Sequence, residues 1–206
     1  MTLPSKLGSW SQTLFLVGGV LLVAYGVLPG LQSVTSASYP IVGNLVSGTG
    51  GVVAFVGLLG LYARYVDRSP WPTRVGAAAA AVGAVGFAVV AVRALGVLGG
   101  VVAASPPGGE PGLVFGLILV GMILGFVAFS VADYRAGGAA DRLTALLLAP
   151  AVVFVVIVGS GLGGITQMWV SAVLGLLHGL SYLAIGTALR TAVSPAERVA
   201  AADSAA

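Results

Sequence analysis

Several runs of about 20 residues pass without a charged side chain, "LTALLLAPAVVFVVIVGSGL" (143–162) among them. As helix, a run of that length crosses a hydrocarbon core roughly 30 Å thick. Only 7% of the 206 residues are charged and 58% are hydrophobic, where a soluble domain carries about 25% charged residues. Too few polar side chains exist to cover a globular surface, so the sequence calls for lipid as solvent. Within lipid each segment must satisfy its own backbone, which selects helices. The apolar runs do not alternate, which argues against a membrane barrel.

Apolar runs bounded by turn residues give six spans, near 11–28, 43–62, 75–96, 112–132, 143–162 and 168–189. The fold class predicted is an all-α integral membrane protein with six transmembrane helices. Residues 1–190 form one transmembrane domain and 191–206 a short cytoplasmic tail. The basic residues test this division. Lys6, Arg64, Arg68, Arg74, Arg135, Arg142, Arg190 and Arg198 all fall on one side of a six-span chain, and the loops 29–42, 105–111 and 159–167 hold no Lys or Arg. Positive charge stays inside, so both termini are expected in the cytoplasm, and the location is the cell membrane. Trp10, Tyr62, Tyr65 and Trp71 mark the inner interface, Tyr39 and Trp169 the outer one. A rival for span one is a signal peptide cleaved near Ala37, although about 18 apolar residues exceed the usual signal core. The exits "GLYAR" (60–64) and "GTALR" (186–190) are alike, which suggests three helical hairpins, 1–2, 3–4 and 5–6.

The absence of cysteine removes disulfides, thiolate nucleophiles and thiolate-bound metals. The net charge of +3 is explained by topology, and no nucleic-acid partner is expected. No H-E-x-x-H, P-loop or G-x-S-x-G motif occurs, nor a pair of carboxylates within the spans. An enzyme is therefore not expected, and neither is a cofactor. G-x-x-x-G occurs seven times among 32 glycines, close to the roughly five that this glycine frequency gives by chance. The motif earns no dimer reading; the glycines serve close packing of the six helices.

One histidine, His178, stands in "GLLHGLSYLAIG" (175–186) near the expected bilayer midplane. Gln167, Ser171, His178 and Tyr182 recur at steps of four, seven and four, which keep one helix face. A polar stripe of this kind turns into the bundle, because imidazole facing hydrocarbon is costly. It lines a pathway or pocket, or it supplies a histidine hydrogen-bonded to a neighbouring helix. A proton relay needs a chain of ionisable groups, and the other spans offer none at that depth. Haem or metal ligation would have only Met122 as partner at the same depth. Arg93 lies nineteen residues after Arg74, about 28 Å up a helix. There it either snorkels to the outer interface or contacts an anion or Glu110. Asp133, Arg135, Asp141 and Arg142 read as a solvated inner turn. Ser194-Pro195 can start a short helix in the tail.

"VGLLGLYARYVDRSPWPTRVG" (56–76) and "HGLSYLAIGTALR" (178–190) resemble uncharacterised small six-span membrane proteins of archaea and bacteria. More loosely the chain is similar to HdeD-type acid-stress membrane proteins, also of six spans. These resemblances imply fold and location and carry no activity. Two function classes remain: a non-catalytic membrane protein acting through packing or through lipid and protein partners, and a small permease or channel, monomeric or homo-oligomeric, lined by the polar face of span six.

Overall fold

A computed structural model describes residues 3–35, 39–103, 112–137, 142–165 and 167–191. The elements are α1 (Leu3–Thr35), α2 (Pro40–Gly60), α3 (Tyr62–Tyr65), α4 (Pro70–Leu98), α5 (Gly112–Val120), a π-helical turn (Gly121–Gly125), α6 (Phe126–Arg135), α7 (Arg142–Leu162) and α8 (Met168–Thr191). Among the described residues there is no strand. The chain is all-α, with six helical stretches long and apolar enough to cross a membrane: Gly8–Gln32, Pro40–Tyr65, Pro70–Leu98, Gly112–Arg135, Arg142–Leu162 and Met168–Thr191. They are called spans one to six below. Ala37, Glu110, Asp141 and the tail from 192 lie outside the described residues, and with them the cleavage, ion-pair and tail-helix expectations.

Prolines set where spans two and three begin. Pro40 and Pro70 occupy first-turn positions, where a missing N–H costs nothing and the fixed φ already suits a helix. Gly100 ends span three at φ 69°, a left-handed conformation that glycine alone adopts without penalty.

Each span packs on the next in sequence, and span six closes on span one, so the pairs 1–2, 3–4 and 5–6 are joined into one ring. Lipid offers no hydrophobic reward for bringing two apolar helices together. Close backbone approach and dispersion must do it. Two seams show how. Span six runs antiparallel to span one, with Gly186 against Leu16, Gly19 against Leu183 and Gly26 against Gly175. A Cβ on Gly26 would stand 2.5 Å from the backbone of Gly175 and Leu176, so no other residue fits without parting the helices. On the far side of the ring Gly83 of span three meets Gly121 of span four, where a Cβ on Gly83 would lie 2.8 Å from the Gly121 Cα. The packing role read for glycine therefore has named contacts.

The interior is aromatic. Phe15, Phe55, Phe126 and Tyr182 are fully buried and Phe87 nearly so. Phe55 touches Phe87 and Phe126 with ring centroids 5.7 Å apart, Phe126 meets Tyr182 edge-on at 5.5 Å, and Tyr182 stacks beside Phe15 at 6.4 Å. Five spans thus contribute rings to one continuous cluster. Each such pair adds about 0.5–1.5 kcal/mol beyond area burial.

Candidate functional site

Span six sets the geometry. Its glycines 175, 179 and 186 share the face pressed on span one. His178, Ser181 and Ile185 occupy the adjoining face, and all three are buried. Towards lipid the same helix shows Val173, Leu177 and Leu180, each about half exposed. His178 is 7% exposed and Tyr182 fully buried. One helical turn separates them, so their rings meet edge-on at 5.1 Å.

The Tyr182 hydroxyl donates to Met122 Sδ of span four at 3.2 Å and lies 3.4 Å from His178 Nε2. Ser181 Oγ donates back to the His178 carbonyl at 2.6 Å. The Phe154 ring of span five stands 6.1 Å from the imidazole. His178 Nδ1 is buried and has no hydrogen-bond partner among the described residues. An unsatisfied buried group of this kind costs about 1–3 kcal/mol. Met122 reaches Tyr182 from inside the π-helical turn, where Gly121, Met122 and Gly125 are all buried. Such turns accommodate one extra residue and are frequent at functional sites.

The structure therefore brings two of the residues of the polar stripe together and leaves the others apart. His178 and Tyr182 share one cluster, whereas Gln167 and Ser171 are exposed. The periodicity is as expected, but above His178 the same face of span six is left uncovered at Ser171 and Gln167, so the stripe is buried only from His178 down. Arg93 is half-buried on span three, five residues before the helix ends at Leu98. It sits ten residues beyond Gly83, which is level with Gly121, hence about 15 Å further along the helix. It belongs to the end of the bundle away from Arg64, Arg135 and Arg190, remote from the imidazole.

A second polar constellation was missed in the sequence. Asp133, read there as part of a solvated turn, is 4% exposed. Tyr65 donates its hydroxyl to Oδ1 at 2.7 Å, and the Thr144 hydroxyl donates to Oδ2. Ser130 Oγ donates to the Thr144 carbonyl at 2.8 Å. One carboxylate thus ties the end of span two to spans four and five. The overlooked signal is helical spacing: Phe126, Phe129, Ser130 and Asp133 share a face, and that face is the buried one. Arg64 beside Tyr65 lies 5.6 Å over its ring, a cation–π contact.

Among the described residues no group of three or more His, Asp or Glu gathers as metal ligands do. No family model, no curated protein and no solved structure matches the chain.

Proposed function

We propose that the chain is a non-catalytic integral protein of the cytoplasmic membrane, with both termini inside, that acts through packing and through lipid or protein partners. The observation that carries this reading is the aromatic cluster. Rings from spans one, two, three, four and six touch across the middle of the ring of helices. The space a pathway would need is filled by side chains that are almost wholly buried. The orientation rests on Arg64, Arg68, Arg74, Arg135, Arg142 and Arg190, all exposed at one end of the bundle. Proteoliposomes test the first part: ion and small-solute flux should equal that of empty vesicles. Single cysteines in this cysteine-free chain test the second, since a cysteine at Arg68 should react only from the cytoplasmic side.

The second reading is a small permease or channel lined by the polar face of span six, as a monomer or homo-oligomer. It is favoured by the buried, unpartnered His178 Nδ1 next to a π-helical turn. Phe126→Ala removes the ring shared by Phe55 and Tyr182. Flux that appears in wild type and rises in this variant would replace the first reading by the second.

A further inference from the structure

We infer that the upper seam between spans five and six is a binding site, open to the lipid, for an apolar phenol or quinol whose hydroxyl donates to His178 Nδ1. The inference rests on the reading that the chain acts through lipid-phase partners, and it names their chemistry. Three observations carry it.

The first is an opening. The inward face of span five, Leu143, Leu147, Pro150 and Ala151, is buried, and Phe154 continues that face against the imidazole. One turn further Val158 is only half-buried, and Gly161, on the same face, is exposed with nothing within 4 Å of a Cβ built on it. Opposite, Ser171 of span six is exposed. Spans five and six therefore part just above His178. Pro150 lies inside the helix, and a proline there removes a backbone hydrogen bond. Span five is the least buried of the six, 17% against 28% to 50% in the others.

The second is the direction of the hydrogen bonds. Tyr182 has one proton, and its shorter contact is to Met122 Sδ at 3.2 Å. Its oxygen can then only accept from His178 Nε2 at 3.4 Å. A neutral imidazole with the proton on Nε2 carries a lone pair on Nδ1. That nitrogen, buried and unpartnered, asks for a hydroxyl donor rather than a carbonyl.

The third is the wall. Phe154 lies 6.1 Å from the imidazole and 6.4 Å from Phe115 of span four, which is 43% exposed. Two rings beside an acceptor fit an aromatic hydroxyl better than an aliphatic one, because offset or edge contacts between rings add to apolar burial.

The single histidine makes the test clean. The full chain, carrying ¹⁵N-histidine in nanodiscs, is titrated with 4-nonylphenol and, separately, with 4-nonylanisole, its methyl ether, which cannot donate. The inference expects an unprotonated Nδ1 before addition, a saturable change of its resonance with the phenol, and at least tenfold weaker binding of the anisole. His178→Leu should abolish the preference for phenol over anisole. Gly161→Phe fills the opening where nothing stands in the way, so the variant should fold as wild type does and bind the phenol at least tenfold more weakly. A proton on Nδ1 at the outset, equal binding of phenol and anisole, an Nδ1 signal that the phenol leaves unmoved, or undiminished binding by folded Gly161→Phe would each overturn it. Flux through the protein would sink the non-transport reading while leaving these binding outcomes as they are.

Discussion

Span six has two neighbours and meets them in opposite ways. Against span one it offers glycines 175, 179 and 186, and the backbones come within van der Waals reach over the length of the helix. Against span five it offers His178, which meets the Phe154 ring, and above that level Gly161 and Ser171 are exposed. The first seam is built from the absence of side chains, the second from the ring of Phe154 set against the imidazole. In lipid this difference decides rigidity. A glycine seam gains dispersion along two bare backbones and has one geometry. A seam held at the level of His178 by one ring contact, with exposed residues above it, has weaker reasons to hold a single arrangement. Function that needs a moving or accessible surface belongs on the second.

The sharpest way to break the comparison is to place equal bulk in both seams. Gly26→Leu forces a branched side chain into a space where even a Cβ meets backbone at 2.5 Å. Overpacking of this kind costs about 1–3 kcal/mol and at times more, and here the upper end is expected. Gly161→Leu, the same change where nothing lies within 4 Å, should leave stability unaltered to within about 0.5 kcal/mol, as surface changes do. Unfolding in mixed micelles by increasing SDS measures both. Equal losses would show that the two seams do not differ as described.

Next in size is the clasp below the open seam. Asp133 accepts from Tyr65 and Thr144 and so holds the lower half of span five to the ring. Asp133→Ala leaves two hydroxyls without their acceptor and should cost about 2–3 kcal/mol. Asp133→Asn keeps one acceptor oxygen and should lose about half as much. The same micelle titration reads the loss. An unchanged alanine variant would mean that Leu143, Leu147 and the Ser130–Thr144 bond suffice to hold the lower half of span five.

How far these contrasts were readable in the sequence follows from what each depends on. The six spans and their near-common length are written in apolar runs, since the bilayer imposes one scale on every segment. That glycine packs the helices was also legible, but which glycine meets which was not. Gly26 and Gly30 form a G-x-x-x-G pair, yet only Gly26 touches span six backbone closely; a Cβ on Gly30 would have its nearest neighbour, Ala172 Cβ, at 3.9 Å. Partnership depends on the ring order, which hydropathy does not encode. The contact of His178 with Tyr182 followed from a four-residue step. The exposure of Gln167 and Ser171 did not, because it arises from where span five stops covering its neighbour. Asp133 was misjudged because a charge at the edge of an apolar run reads as its end, whereas the helix carries it one step further on the buried face.

Within the polar seam itself the expected effects are smaller. His178→Leu removes the Nε2 contact at 3.4 Å and also the unpartnered Nδ1. Intramembrane hydrogen bonds average about 0.6 kcal/mol, and losing an unsatisfied nitrogen, which costs about 1–3 kcal/mol while it is there, offsets at least that. The net loss should therefore stay below about 1 kcal/mol, with His178→Asn close to wild type. Tyr182→Phe keeps its ring contacts with Phe126 and Phe15 and gives up only the hydroxyl, for about 0.6 kcal/mol. A loss of several kcal/mol in His178→Leu would show that this seam is as tightly specified as the glycine one.

The smallest effect gives the finest test of the open half. Gly161 lies inside the helix of span five, on its inward face, one residue before the helix ends at Leu162. Its surroundings would admit a methyl group without contact, since nothing lies within 4 Å of the position. Alanine restricts the unfolded backbone more than glycine, and in a helix interior the exchange is worth up to about 1 kcal/mol. Near the last turn the gain should be less, about 0.3 kcal/mol, and of stabilising sign. The same exchange at Gly175, whose Cβ would stand 2.8 Å from the Gly26 Cα, has the same backbone advantage and a steric cost that exceeds it. Opposite signs for Gly161→Ala and Gly175→Ala in one micelle titration are the expected result. A destabilised Gly161→Ala would mean that span five closes on span six in the membrane, and that the upper seam is shut.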